Sequence, residues 1–479
     1  MRHALLFAIA VAATQVLVAQ SLPEQALRAA KKATSFLTDH VSTNGGYVWE
    51  YSADLSRRAG EGVVDESTIW VQPPGTPAVG EAFVRLFEAT GDAQFLLAAQ
   101  EVAEALRYGQ MRSGGWQASI EFDPQRSRRW AYRSLPPSKK AKDQSSLDDA
   151  KTQSVLRFLI RLDRAIEMRS ASIHNMTMEA LDALIENGQF SGGGFPQVWT
   201  DFRPEADDIP LQNASYPEDW PRDYPGHQQY WLRYTLNDHL ARDVMEVLIL
   251  ADQTYDDARF MNAARRLADS LIAAQLPVPQ PAWAQQYNVK MQPIWARKFE
   301  PPAITTSESF SSIEALMLVY QATGDEKYLH PIQPALDYLK SCEFEDGRVA
   351  RFYELRTNRP LYFTREYKLT YRDDDVPTHY GFQLGSRVDS LQKKLTQLLQ
   401  SGRTAPQVRP KQSVPSADDV SQVIESLDAR GIWVEAGTMR YHKTTGPLIR
   451  MQTVVKRLHL LADYLSSVAP AGAAEQDGK

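Results

Sequence analysis

The 479-residue chain contains one cysteine, Cys342. No intramolecular disulfide is possible, so stability must come from core burial. Cys342 also lies in an apolar helical run, which argues against cysteine-based catalysis. An excess of positive charge is missing as well. Against 59 Asp and Glu stand 53 Lys and Arg, giving a formal net charge of −6 and a pI near 5.9. General nucleic-acid binders are basic, so nucleic acid is set aside as a partner. None of the nine histidines stands in a zinc spacing such as His-Glu-x-x-His. There is no Gly-x-Ser-x-Gly, no Walker loop and no Gly-x-Gly-x-x-Gly after a strand, so the signatures of serine hydrolase, nucleotide and dinucleotide chemistry are absent. A long apolar run occurs only near the start, Ala4 to Ala19 behind Arg2 and His3. It is too short to span a bilayer comfortably and reads as an export signal over residues 1–20. The expected location is periplasmic or secreted, with no membrane attachment after cleavage.

What the chain does have is a globular composition, 43% hydrophobic and 23% charged, and an internal repeat. Val84-Arg-Leu-Phe-Glu-Ala-Thr-Gly-Asp-Ala-Gln-Phe-Leu96 matches Met317-Leu-Val-Tyr-Gln-Ala-Thr-Gly-Asp-Glu-Lys-Tyr-Leu329. Each is a helix end, a break and a new helix start. The glycine supplies a left-handed residue and the aspartate a cap. Ile249 to Met261, with Tyr255-Asp256-Asp257, is a third copy. Helices that follow are amphipathic and run into Gly-aromatic turns at Gly45-Gly46-Tyr47, Gly114-Gly115-Trp116 and Gly193-Gly194-Phe195, with Trp283 in the equivalent place later. Helix pairs repeating about every 70–80 residues predict an all-α-dominated α/α toroid, an incomplete barrel of helix hairpins with few short strands and long cleft loops. Val349–Tyr353 and Leu361–Tyr371 are the candidate strands. The expected organisation is a signal peptide at 1–20, a toroid catalytic domain at 21–400, a linker and C-terminal helical segment at 401–468 packing on the toroid, and a flexible tail at 469–479. A monomer is expected.

Candidate chemistry lies where helices that line such a toroid begin. Leu147-Asp148-Asp149-Ala150, Leu236-Asn237-Asp238-His239 and Thr305-Thr306-Ser307-Glu308 each place a carboxylate there. Taken singly, these are helix caps. Taken together at one end of a toroid, Asp148 and Asp238 suit a hard cation such as Ca²⁺, which takes several oxygen ligands. Two irregular segments add arginines among aromatics: Trp295-Ala296-Arg297-Lys298-Phe299-Glu300-Pro301 and Arg351-Phe352-Tyr353-Glu354-Leu355-Arg356-Thr357-Asn358-Arg359-Pro360. Guanidinium forks recognise carboxylates bidentately, and aromatic rings stack on sugars. The loop Gln125–Lys142 holds seven basic residues and no acid, and is a further candidate for contact with a polyanion.

These segments resemble the pectate lyases of polysaccharide lyase family 10, from about Asp148 to about Arg365. The family's Asp-Asn-x-Ala-Thr…Arg-Phe-Leu is similar to Asp148-Asp149-Ala150-Lys151-Thr152…Arg157-Phe158-Leu159. Its Gly-Gly-Trp-Pro-Gln resembles Gly193-Gly194-Phe195-Pro196-Gln197, and its Phe-Asn-Asp-Asn-Ala resembles Leu236-Asn237-Asp238-His239-Leu240. Its Ala-Arg-x-Tyr-Glu-x-Pro…Glu-Ser resembles Ala296 to Pro302 with Glu308-Ser309. The stretch Arg351 to Pro360 matches most specifically. The resemblance implies a toroid-type fold and Ca²⁺-assisted β-elimination of polygalacturonate, an acidic polysaccharide, to 4,5-unsaturated oligogalacturonides. It implies Asp148 and Asp238 as cation and substrate residues, Arg297 as Brønsted base and Arg359 as partner of a substrate carboxylate or of the transition state. Arg351, Asn358, Trp295 and Lys298 fall in the same segments and are expected to bind substrate.

The chemistry is coherent with that reading. The C5 proton of a uronate lies α to a carboxylate and is poorly acidic until the carboxylate charge is neutralised. An arginine base must be held beside cations and away from carboxylates to yield a neutral fraction, so an alkaline optimum is expected. Two rivals predict different observations. A glycoside hydrolase using Asp148 and Asp238 as an acid/base pair gives saturated products. A non-catalytic uronate-binding protein gives affinity without turnover.

Overall fold

The computed structural model describes residues 20–400 and 414–468. All but the last residue of the expected signal, most of the expected linker and the expected tail lie outside the described residues. Twelve α-helices carry the described chain: α1 (Leu22–Phe36), α2 (Thr76–Thr90), α3 (Ala93–Tyr108), α4 (Lys151–Ala165), α5 (Ala171–Ala183), α6 (Leu240–Tyr255), α7 (Ala258–Ala274), α8 (Thr306–Thr323), α9 (Ile332–Ser341), α10 (Val388–Gln400), α11 (Ala417–Glu425) and α12 (Met451–Val468). Among the described residues no helix is long and apolar enough to cross a membrane.

The repeated breaks do what their residues dictate. Gly91 ends α2 at φ 67°, and Asp92 caps α3 by accepting from the Gln94 N–H. Gly324 and Asp325 repeat this after α8. Asp256, at φ 51°, takes the glycine's place after α6, and Asp257 caps α7. In the Gly-aromatic turns the first glycine again has positive φ, between 86° and 99° at Gly45, Gly114 and Gly193. A side chain at Gly193 would also strike the Arg266 carbonyl. The aromatic that follows is a core anchor: Trp116 donates its indole N–H to the Leu106 carbonyl at 2.8 Å, and Trp283 does the same to Leu271.

α2, α4, α6, α8 and α10 pack side by side in that order, and α12 packs on the free side of α2. α3, α5, α7 and α9 back onto the inner helix of their own hairpin. The result is an incomplete α/α toroid. Its inner helices meet partly through charge. Arg161 lies 3.4 Å from Glu81, Arg157 3.7 Å from Glu246, and Arg387 2.8 Å from Glu314. Arg85 pairs with Asp463 of α12. Buried ions persist only when partnered, and here each of these ions faces one of opposite sign.

Beside this network sits His459 of α12, whose Nε2 is buried without a hydrogen-bond partner. Burial, with the Arg85 charge, pushes its pKa down to about 4. Glu81 and Arg161 complete its charged surroundings. The fold therefore excludes a proton that the unfolded chain takes up at about 6.5. This stability is complete above pH 6.5 and is lost as the pH falls toward 4. We expect a loss on the order of 3 kcal/mol across that window relative to His459→Gln, read from paired denaturant melts. Parallel pH profiles for the two proteins would show that His459 does not contribute.

The expected strands form in pieces: Val349–Tyr353 divides between Arg348–Ala350 and Phe352–Glu354, and Leu361–Tyr371 between Pro360–Phe363 and Leu369–Thr370. Phe352–Glu354 pairs with Pro360–Phe363, and Ala303–Thr305 adds on the other edge. The C-terminal part holds more than a helix. A hairpin of Glu435–Met439 and Thr444–Arg450 pairs with Glu50–Ser52. The polar alternation of that hairpin hides it from a helix-period reading.

Candidate functional site

The starts of α4 and α6 are twins. Before α4, Asp148-Asp149-Ala150 makes a tight turn with Asp149 at φ 47° and Ala150 at φ 58°. Before α6, Asn237-Asp238-His239 repeats it, with Asp238 at φ 51° and His239 at φ 62°. Two consecutive left-handed non-glycine residues are costly, and such strain concentrates at functional sites. None of these aspartates caps its helix: the N-caps are Ala150 and His239, and neither makes a side-chain cap. The capping alternative is thereby removed. The two turns touch each other, and the second touches α8.

Three carboxylates converge there. Oxygens of Asp148, Asp149 and Asp238 all lie within 4.8 Å of one another. Asp148 accepts from Gln197 Nε2 and from Lys151 Nζ. Asp149 accepts from Gln72 Nε2 at 3.0 Å, and Asp238 from the Asn237 amide. Burial, then the charges of Asp149, Asp148 and Glu308, push the Asp238 pKa up to about 8, against the pull of Arg297. Burial and Asp148 likewise raise Asp149. Glu308, on the first turn of α8, is buried with Oε2 unpartnered. Burial pushes its pKa up to about 7, opposed by Arg351. A site that lifts carboxyl groups this far demands a proton or a cation.

Arg297 is the surprise. Its Nε donates to Glu300 Oε2 at 2.8 Å and its Nη2 to Oε1, while its guanidinium carbon lies 5.0 Å from the Phe299 ring centroid. Burial alone would lower its pKa, but the Glu300 carboxylate outweighs this and holds it above the ordinary arginine value. The condition of an arginine kept away from carboxylates is not met in this state. Glu300 is itself buried, and its Oε1 also accepts from the Tyr380 hydroxyl at 3.0 Å.

The remaining expected residues divide. Arg351 lies over Tyr380 at 4.5 Å, Lys298 over Tyr367 at 3.4 Å and Arg359 over Tyr371 at 3.4 Å. None of the three pairs with a carboxylate among the described residues. A tyrosine face holds a cation without using up its N–H donors. One expectation is corrected and one is narrowed. Trp295 is 4% exposed, donates to the Pro221 carbonyl at 2.8 Å and packs against Trp220 and Tyr224, so its ring anchors a loop and offers no face to a sugar. Asn358 accepts from Gln280 at 3.0 Å and from Tyr338, and donates to Cys342 Sγ, which fills its carbonyl oxygen and leaves one amide N–H for substrate. The basic loop is also partly spent, with Arg126 on Asp65 and Arg133 on Glu179.

Sequence reasoning missed Asp149, Lys151 and Tyr230. Asp149 was legible by aligning Leu147-Asp148-Asp149 with Leu236-Asn237-Asp238, which makes Asp149 the twin of Asp238. Tyr230 gave no signal. Its turn, Tyr230–Leu232, packs on the strand Val198–Trp199 just after Gln197. Its phenol lies within electrostatic reach of Glu300, Arg297 and Asp148.

Residues 210–319 match the family model described as pectic acid lyase. That stretch contains Asp238, Arg297, Glu300 and Glu308. The class so defined is a polysaccharide lyase. The sequence resemblance to the pectate lyases of polysaccharide lyase family 10, from about Asp148 to about Arg365, contains the matched stretch. Among solved structures, a mutant Family 10 polysaccharide lyase from Cellvibrio cellulosa in complex with trigalaturonic acid is 18% identical, covers 67% of this chain and 98% of its own, and has a TM-score of 0.45. A cellobiose 2-epimerase from Spirochaeta thermophila is 14% identical over 94% of this chain and 100% of its own, with a TM-score of 0.45. A family 76 glycoside hydrolase (mannosidase) from Bacteroides thetaiotaomicron is 12% identical over 92% and 97%, with a TM-score of 0.42. No curated protein matches the chain.

Proposed function

We propose that this chain is an exported pectate lyase that cleaves polygalacturonate by Ca²⁺-assisted β-elimination. The observation that carries the reading is the convergence of Asp148, Asp149 and Asp238, with Arg297 acting on Asp238 and Arg351 on the neighbouring Glu308. An all-oxygen, all-carboxylate donor set with a raised Asp238 fits a hard divalent cation. When bound, Ca²⁺ would supply positive charge to the uronate carboxylate and make the C5 proton more acidic.

The side chains account for the rest. Arg351, Arg359 and Lys298 hold carboxylates along the polymer, as guanidinium forks and a mobile ammonium do. Tyr230 covers the cleft and excludes water. At alkaline pH Arg297, once turned from Glu300 to substrate, gives its proton to solvent and as the neutral guanidine takes the C5 proton, while Tyr380 stays on Glu300 to keep that buried carboxylate partnered. The C5–H bond breaks, C4=C5 forms, and the C4–O4 bond breaks with O4 protonated by solvent.

The test is ultraviolet absorbance of unsaturated product from polygalacturonate at alkaline pH, with Ca²⁺ and with chelator. Calcium-dependent absorbance is expected. New reducing ends without absorbance would replace the lyase by a hydrolase, and binding without either would leave a uronate-binding protein.

A further inference from the structure

Lys151 is out of place. It occupies the first residue of α4, where the helix dipole disfavours a cation. It is 7% exposed, and lysine is rarely buried so far unless paired. In the twin turn the same position holds Leu240. The Lys151 ammonium donates to Asp148 Oδ2, an oxygen of the converging carboxylate set, and its charge acts on Asp149 as well. The other Asp148 oxygen is taken by Gln197. Both Asp148 oxygens therefore already accept a hydrogen bond, and a ligand arriving at Oδ2 meets the Lys151 ammonium there. Among the described residues no ammonium pairs with Asp149 or Asp238.

We propose that Lys151 is a tethered cation resident in the acidic cluster, which a divalent cation must displace from Asp148, so that Lys151 sets the concentration at which the site loads. The proposal rests on the reading of Asp148, Asp149 and Asp238 as a cation site. A +1 charge and a +2 charge some 5 Å apart repel by roughly the amount that changes affinity tenfold, even at the dielectric of water. Displacement also removes a hydrogen bond from a buried ammonium, which must find a new acceptor. The free ammonium then faces the cleft, where a substrate carboxylate satisfies it.

The full chain would be titrated with Ca²⁺ by calorimetry, without substrate, as wild type, Lys151→Met and Lys151→Arg. The Met variant keeps the apolar stem and is expected to bind about tenfold more tightly. The Arg variant keeps the charge and is expected to stay within about twofold of wild type. Equal or weaker binding by the Met variant overturns the proposal. If none of the three folded proteins binds Ca²⁺, the cation reading falls with it. Binding by wild type with no gain in the Met variant leaves that reading standing and removes Lys151 alone. Should the Met variant misfold, the wild type suffices. Acylation of Lys151 by an amine-reactive ester, followed by mass spectrometry, is expected to rise severalfold on adding Ca²⁺. An unchanged yield overturns the displacement.

Discussion

Asp149→Asn and Asp238→Asn are each expected to abolish calorimetric Ca²⁺ binding and to cut turnover of polygalacturonate on the order of a thousandfold. Both residues occupy the second, left-handed position of twin turns, and both are raised by burial and by neighbouring carboxylates. Neutralising either removes repulsion that the empty site has to bear. The variants should therefore melt at or above the wild-type temperature without cation, which separates loss of function from loss of fold. Asp148→Asn should be milder. That carboxylate already spends its charge on Lys151, and the asparagine carbonyl can still accept from Gln197. A calcium affinity in Asp149→Asn equal to wild type would mean that the twin geometry has nothing to do with a cation.

Arg297→Ala is expected to lower turnover by at least about a hundredfold, and Glu300→Gln separates the roles Arg297 can play. The Glu300 carboxylate keeps Arg297 protonated by two hydrogen bonds. With glutamine there, burial is opposed only by the smaller effects of Tyr380 and Asp238, and the Arg297 pKa falls. The sign follows. A base needs its proton removed, so a lower pKa moves the rising limb of the rate profile to lower pH. The expected result is an acid-side shift of about one unit or more with Glu300→Gln. A profile that falls in height without moving would make Arg297 a carboxylate clamp and put the base elsewhere. The Tyr380 hydroxyl, which also donates to Glu300, keeps the glutamine oxygen partnered and the substitution tolerable.

Much of the framework was legible in the residues. Ala-Thr-Gly-Asp announces a helix end and a helix start because glycine tolerates positive φ and aspartate accepts from a first-turn N–H. Three spaced copies and the Gly-aromatic turns then require stacked helix pairs. The C-terminal hairpin escaped because its partner strand, Glu50–Ser52, lies far off in sequence. Sequence proximity also misled at Trp295, and it did not show how far Asn358 is engaged within the fold. Both stand within motif stretches, yet one fills the space beneath a loop and the other ties Gln280, Tyr338 and Cys342 together.

By itself, then, the sequence determined the repeat, the helix boundaries and the acidic starts of α4 and α6, since each depends on residues within a few positions of one another. The tertiary structure decided what those acids do. Whether an aspartate caps a helix or turns toward two others depends on a pair of left-handed residues and on which turns the toroid brings together. Whether a basic side chain is free or spent depends on the carboxylate folded against it: among the described residues Glu300 pairs with Arg297, and none pairs with Arg351, Lys298 or Arg359. Charge identity is written along the chain. The burial and distance that set its effect come from contacts between segments far apart along it.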